Sequence, residues 1–224
     1  MLAASADQAS SVEGVVLVEL AWVRMSAEGC QGCPLAGTRD KVVFGGVDGY
    51  RDIRADLMIV GEAPGAEEDT EGLPFVGAAG QKLDLLLAEA GLDRQSAYIT
   101  NVVKCRPIKE REGRPPTNRA PEPSEIAACW NYLESQITLV GPRVIVALGV
   151  TAVARLLGPG AQVGESRGQG HFHGNIPVVA TYHPSPLSLH RQPGRRAMVL
   201  DDLSLAKRLL DGQEDPLPRA SPDI

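Results

Sequence analysis

Positive charge is in short supply: 22 Lys and Arg stand against 28 Asp and Glu, for a net charge of −6. That balance argues against a protein that coats nucleic acid through bulk positive charge. Aromatic residues are scarce as well, with three Phe, two Trp and four Tyr, so the core must be built from aliphatic side chains. No run approaches the ~20 uncharged apolar residues that span a bilayer. The amino terminus lacks the basic flank and clean apolar run of a secretory signal. A soluble cytoplasmic protein with no membrane partner is the expectation. Neither GxxxxGK[ST] nor GxGxxG follows an apolar run, the GxSxG spacing of Gly164-Glu-Ser-Arg-Gly168 follows no strand-like run that could make a nucleophile elbow, and HExxH is missing. P-loop, dinucleotide-binding, nucleophile-elbow and zincin chemistry therefore drop out.

What is present is ordinary globular composition, 43% apolar and 22% charged over 224 residues. A chain of this length suits one domain that buries roughly 70–75% of its unfolded surface. Residues 1–14 and the Pro- and Asp-rich 213–224 read as loose ends, leaving 15–212 as the folded unit. Four β-branched apolar runs, 57–60, 98–103, 144–148 and 176–181, read as buried strands. Helical patterns at 79–90, 124–139, 150–157 and 198–210 alternate with them, with Ser124 as the expected cap of the second. The alternation predicts an α/β fold: a single-domain three-layer α/β/α sandwich around a central, mainly parallel, four-stranded sheet.

In such sheets ligands bind beyond the carboxyl ends of the strands. The first strand runs into Gly61-Glu62-Ala63-Pro64-Gly65, the second ends near Thr100-Asn101, and the fourth runs into His183-Pro184-Ser185-Pro186-Leu187. An acid, an amide and an imidazole should thus converge on one rim. His171 and His173, flanking Phe172, read as hairpin residues.

The four cysteines are Cys30, Cys33, Cys105 and Cys129. A Cys-x2-Cys pair followed by two distant thiols suits one metal or cluster site better than disulfides in a reducing cell. Spacing alone leaves zinc and iron–sulfur equally open. Two basic patches interrupt the acidic background: 104–119 carries a net +4, and 188–196 holds His190, Arg191, Arg195 and Arg196 with no acid. Each is either a solvated face or a contact for an anionic partner.

Together these residues resemble the family 4 uracil-DNA glycosylases, the iron–sulfur branch of their superfamily. The matching pieces are Cys30-Gln-Gly-Cys33-Pro-Leu, Gly61-Glu-Ala-Pro-Gly65 with Glu67-Glu68-Asp69, and Pro74-Phe75-Val76-Gly77. Tyr98-Ile-Thr-Asn101-Val-Val-Lys-Cys105-Arg-Pro and His183-Pro184-Ser185 complete the set. The resemblance implies hydrolysis of the uracil–deoxyribose bond in double- or single-stranded DNA, leaving an abasic site for base excision repair. It also implies a [4Fe–4S] cluster on all four cysteines. Glu62 would position or activate water, with Glu68 and Asp69 as accessories, and His183 would donate to uracil O2. Asn101 would read the uracil edge, Phe75 would stack on the flipped base, and the Ala63 backbone amide would meet it. Leu187 would wedge into the vacated stack, while Ser185, Ser188, Arg191, Arg195 and Arg196 would grip phosphates. Few phosphate contacts imply modest affinity and a shallow salt dependence. Monomer is the expected state.

Two features depart from the family pattern. Ala63 stands where Gly is common. The stretch between Cys105 and Cys129 carries an insert around Glu110-Arg-Glu-Gly-Arg-Pro-Pro. A related branch that traps uracil-DNA covalently has a histidine-bearing insert there, and this insert has no histidine. The alternative is a binding or trapping member of the superfamily with little turnover.

Overall fold

The computed structural model describes residues 6–190 and 193–214. All four expected strands form: β2 (Leu57–Gly61), β3 (Tyr98–Asn101), β6 (Val144–Leu148) and β8 (Ile176–Thr181). They are mutually parallel in the order β3-β2-β6-β8. The sheet has six strands rather than four, because β1 (Gly46–Val47) and β7 (His171–His173) pair antiparallel on its two edges. Neither edge strand is longer than three residues, too short for a period-2 pattern to register in sequence. β7 and β8 form the hairpin expected around His171 and His173.

Successive strand residues point to opposite faces, and both faces are covered. On one, Met58, Val60, Ile145 and Ala147 pack with Leu133 and Ile137 of helix α4 (Pro123–Val140), and with Val153 and Leu156 of α5 (Val150–Leu157). On the other, Ile59, Val146 and Leu148 meet Leu83 and Leu87 of α3 (Ala78–Glu89) and Val199 and Leu203 of α8 (Arg195–Leu210). Shorter helices are α2 (Ala66–Glu71), α6 (Val163–Ser166) and α7 (Pro186–His190).

Helix starts and stops follow local chemistry. Gly91, at φ +71°, closes α3 as its sequence suggests. The cap of α4 is Glu122, not Ser124. Pro123 takes the first helical position, where its missing N–H costs nothing, and the Glu125 carboxylate accepts the Glu122 N–H at 2.7 Å. A helix that the sequence pattern conceals, α1 (Ala6–Glu28), begins within the segment read as a loose end and lies on α4 through Val16 and Leu20. Its opposite side also carries apolar residues, Val15, Val18, Trp22 and Met25, so no clean amphipathic period marks it. The insert folds as an antiparallel ribbon, β4 (Ile108–Arg111) with β5 (Arg114–Asn118).

From β2 the chain moves outward to β3, then crosses back to build β6 and β8 on the other side. β2 and β6 therefore flank a topological switch point. A crevice opens there beyond the strands' carboxyl ends.

Candidate active site

Glu62 leaves the end of β2 directly into this crevice, and α5 starts just after β6. Gly149, at φ +86°, makes that second turn and brings Thr151 to the rim. The Thr151 hydroxyl donates to Glu62 Oε2, fixing the carboxylate against the start of α5. Gly61 is required by crowding, since a β-carbon there would run into the Asn101 side-chain oxygen and the Phe75 ring. The resulting cavity of about 430 Å³ is lined by Glu62, Ala63, Glu68, Phe75, Asn101, His183 and Ser185. All seven were singled out in the sequence, and the crevice gathers them from four separate segments.

Asn101 is 2% exposed at the end of β3. Among the described residues nothing hydrogen-bonds its side-chain amide, which faces the cavity. Its backbone is held from behind. Lys104 is fully buried and not part of a basic surface. Its Nζ donates to the Asn101 carbonyl at 2.6 Å, to Gln136 Oε1 at 2.6 Å and to Thr100 Oγ1 at 2.8 Å. Desolvation pushes the Lys104 pKa down to about 7.

His183 enters from the far side, after β8. The Ser185 backbone N–H donates to its Nδ1 at 3.2 Å. A nitrogen that accepts cannot carry the proton, so the neutral ring is protonated on Nε2. Burial lowers the His183 pKa below 6.5, and the nearby Glu68 carboxylate offsets this in part. Phe75 stacks on the imidazole with ring centroids 5.9 Å apart and planes 28° from parallel. Its backbone sits at φ +55°, a strained conformation for a bulky residue. Arg94 clamps that turn, donating from Nη2 to the Pro74 and Phe75 carbonyls at 3.1 Å each while pairing with Asp84.

Glu68 lines the cavity but both its oxygens are engaged. Oε2 accepts from Gly65 N and Oε1 from Gly77 N, each at 3.0 Å. It ties the Glu62 turn to the Phe75 turn. Asp69 is likewise turned inward, its Oδ1 accepting the Asp40 N–H at 3.1 Å.

Leu187 lies outside the cavity wall on α7, 68% exposed at the rim. Ser185 Oγ accepts the Ser188 N–H at 3.3 Å. Arg195 and Arg196 are used within the protein. Arg195 donates to the Ser188 carbonyl and lies 4.2 Å over the Tyr182 ring, and Arg196 pairs with Glu89. Arg191 lies outside the described residues. Sequence reasoning missed Thr151 and Asn118. Asn118 reaches the cavity wall from the root of the ribbon, beside Arg119. Neither carries a signal until the fold brings it to the rim.

The four cysteines are unpaired and line one small cavity between the segment after α1, residue 105 and α4. N–H donors are aimed at three of the sulfurs. Gly32 N lies 3.3 Å from Cys30 Sγ, Lys104 N 3.3 Å from Cys129 Sγ, and Arg39 Nη1 3.6 Å from Cys105 Sγ. Burial pushes the Cys105 thiol up to about 11 and raises that of Cys129. Among the described residues no group of three or more His, Cys, Asp or Glu side chains is arranged to hold a metal ion.

Residues 48–204 match the model of the uracil DNA glycosylase superfamily. The chain is 43% identical over 184 residues to a type-4 uracil-DNA glycosylase of Thermotoga maritima, covering 81% of this chain and 89% of that one. It is 41% identical to a type-4 uracil-DNA glycosylase of Pyrobaculum aerophilum, covering 79% and 87%. The crystal structure of Pedobacter heparinus SMUG2 shares the fold at a TM-score of 0.52 and 14% identity, covering 73% of this chain and 79% of that one. Strand order, cavity and sequence agree, and the chain belongs to the uracil DNA glycosylase superfamily, with the type-4 enzymes among its relatives.

Proposed function

We propose that the protein excises uracil from DNA by hydrolysing the bond between uracil N1 and deoxyribose C1′, leaving an abasic site for base excision repair. The observation that carries this reading is the meeting of an unpartnered Asn101 amide, an Nε2-protonated His183 and the anchored Glu62 in one cavity. An amide offers one donor and one acceptor, the complement of uracil O4 and N3–H. Cytosine reverses that pattern at both atoms and would leave buried polar groups unpaired.

Flipping the nucleotide costs a few kcal/mol of stacking and pairing. The Phe75 edge and the Ala63 backbone receive the base, and Leu187, exposed at the rim, fills the space it leaves. As C1′–N1 breaks, its electron pair leaves with uracil and negative charge builds on O2. His183 Nε2–H donates to that oxygen, and a neutral ring can do so without losing its bond from Ser185. Water adds to C1′ from the Glu62 side, and its proton passes to the Glu62 carboxylate, which also offsets the sugar's positive charge. Glu68 positions the two turns and touches neither reactant. The insert supplies no histidine to trap the sugar covalently, which favours turnover.

Cys30, Cys33, Cys105 and Cys129 fit a [4Fe–4S] cluster: four thiols face one cavity, and N–H donors directed at sulfur stabilise thiolate ligands. A cubane is wider than a single ion, which suits thiols that are not gathered around one point. The cluster would staple α1, the segment after β3 and α4 together and take no part in the reaction. A monomer acting in the cytoplasm, where the chromosomal DNA lies, completes the reading.

The test is an end-labelled oligonucleotide with one uracil, divided between alkali treatment and a denaturing gel without alkali. Alkali-dependent cleavage with free uracil released is the expected result. A denaturant-stable shifted band would mean covalent trapping and overturn turnover. Neither signal would overturn glycosylase activity.

A further inference from the structure

The insert between Cys105 and α4 is a two-stranded ribbon whose residues are exposed from Lys109 to Asn118, with a Gly113 turn at φ +63°. An isolated hairpin is marginal in water, and among the described residues this one makes no more than slight contact with any other strand or helix. What steadies it is its root. Arg119 donates from its backbone N–H to the Pro107 carbonyl and from Nε to the Ile108 carbonyl, while its guanidinium grips Glu125 of α4 through both nitrogens at 2.6 and 2.8 Å. Arg106 Nε donates to Asn118 Oδ1 at 2.7 Å across the base of the ribbon. A rigidly rooted arm thus stands free above the cavity that Asn118 and Arg119 help to line.

Its charges point to what it meets. Arg111 and Arg114 are direct cross-strand partners. Like charges placed opposite one another destabilise a ribbon. The side chains of Lys109, Arg111 and Arg114 have no ion-pair or hydrogen-bond partner among the described residues. An anion lying between the two arginines would turn that repulsion into attraction. Position narrows the choice of anion. The ribbon leaves the sheet on the β3 side of the crevice, and α7 leaves it on the β8 side, three strand spacings or about 14 Å away. Five residues of strand reach about 16 Å, enough to follow a few nucleotides of backbone but no more.

We propose that this ribbon is a DNA-binding arm that holds the sugar–phosphate backbone of the substrate strand beside the extrahelical nucleotide, through Lys109, Arg111 and Arg114. The α7 rim with Leu187 contacts the DNA from the other side of the crevice. The ribbon's three bases exceed its two acids, Glu110 and Glu112, by only one, so the contact rests on the placement of Arg111 opposite Arg114 and not on bulk charge. This inference rests on the glycosylase reading for its substrate, and its test separates the two.

The experiment compares wild type with Lys109→Ser/Arg111→Ser/Arg114→Ser, and with a second variant in which residues 109–114 are replaced by Asn-Gly. Binding to uracil-free and uracil-containing duplexes is titrated from 50 to 300 mM salt, and uracil release is followed on the latter. Losing about three phosphate contacts should flatten the slope of log K against log salt by about 2–3. KM should rise about 10- to 100-fold, kcat should change less than threefold, and melting temperature should hold. Unchanged slope and affinity in both variants would overturn the arm. So would a loss confined to kcat. A wild type that binds DNA and releases no uracil would overturn the glycosylase reading alone, since the salt slopes still decide the ribbon.

Discussion

Asn101 and His183 line the cavity from the ends of different strands, so each can be removed without dismantling the other's support. Asn101→Asp replaces the amide donor by a second acceptor facing uracil O4. A drop of at least about 100-fold in kcat/KM on uracil-DNA is expected from steady-state kinetics. His183→Ala removes the only expected donor to O2, and kcat should fall about 10²- to 10³-fold. The lowered pKa of His183 also fixes a pH dependence. The neutral ring persists to lower pH than an ordinary histidine, so the acid limb of kcat/KM assigned to it lies below pH 6.5. Stability has the same sign. The unfolded chain takes up this proton more readily than the folded one, so the contribution is complete above about 6.5 and is lost as pH falls through the folded value. Thermal denaturation at several pH values, with His183→Gln as the control, checks this.

Among elements, the short α2 and the turns around it matter more than their size suggests. Glu68 receives the Gly65 and Gly77 N–H groups, so it holds the turn bearing Glu62 in register with the one bearing Phe75. Glu68→Ala should cost about 1–3 kcal/mol for two orphaned donors. In a chain of this size that is a fall of several degrees in Tm. Glu68→Gln keeps one acceptor oxygen and should recover part of both Tm and kcat, a rescue that a proton-transfer role would not allow. At the ribbon root, Arg119 holds the Glu125 carboxyl below its ordinary 4.5. That stabilisation is therefore complete above pH 4.5 and lost as pH falls through the lowered value. Arg119→Ala should abolish this acid-sensitive component in urea titrations at pH 7 and pH 4.

For the molecule as a whole, the cysteines join α1, the segment after β3 and α4, which lie far apart in sequence. Protein isolated without oxygen should carry iron and acid-labile sulfide in the equal ratio of a cubane cluster. Cys129→Ser should lower both and lower Tm, while the folded fraction keeps its discrimination of uracil from cytosine. Lys104 links the same region to the end of β3, with Nζ on the Asn101 carbonyl and its backbone N–H on Cys129. The sequence shows this lysine in a basic run and gives no hint that it is buried.

The sequence by itself determined the central strands, the four main helices on them and the residues at the strand ends, because β-branched runs, helical periodicity, turn glycines and strand-end motifs are local signals. Spacing and resemblance also predict that the four cysteines meet, and they line one cavity. Other features were decided only by folding. β1 and β7 exist because the sheet offers edges to pair with, not because two or three residues prefer to be strand. α1 is hidden by apolar residues on both its sides. Glu68 comes to bridge two turns once Gly65 and Gly77 close around it. Lys104 becomes core because Thr100, Asn101 and Gln136 accept hydrogen bonds from its Nζ. The insert is visible as extra length, but its rooted, outward course depends on Arg119 meeting Glu125 on α4. These are long-range contacts, and no local pattern of residues encodes which distant partner will arrive.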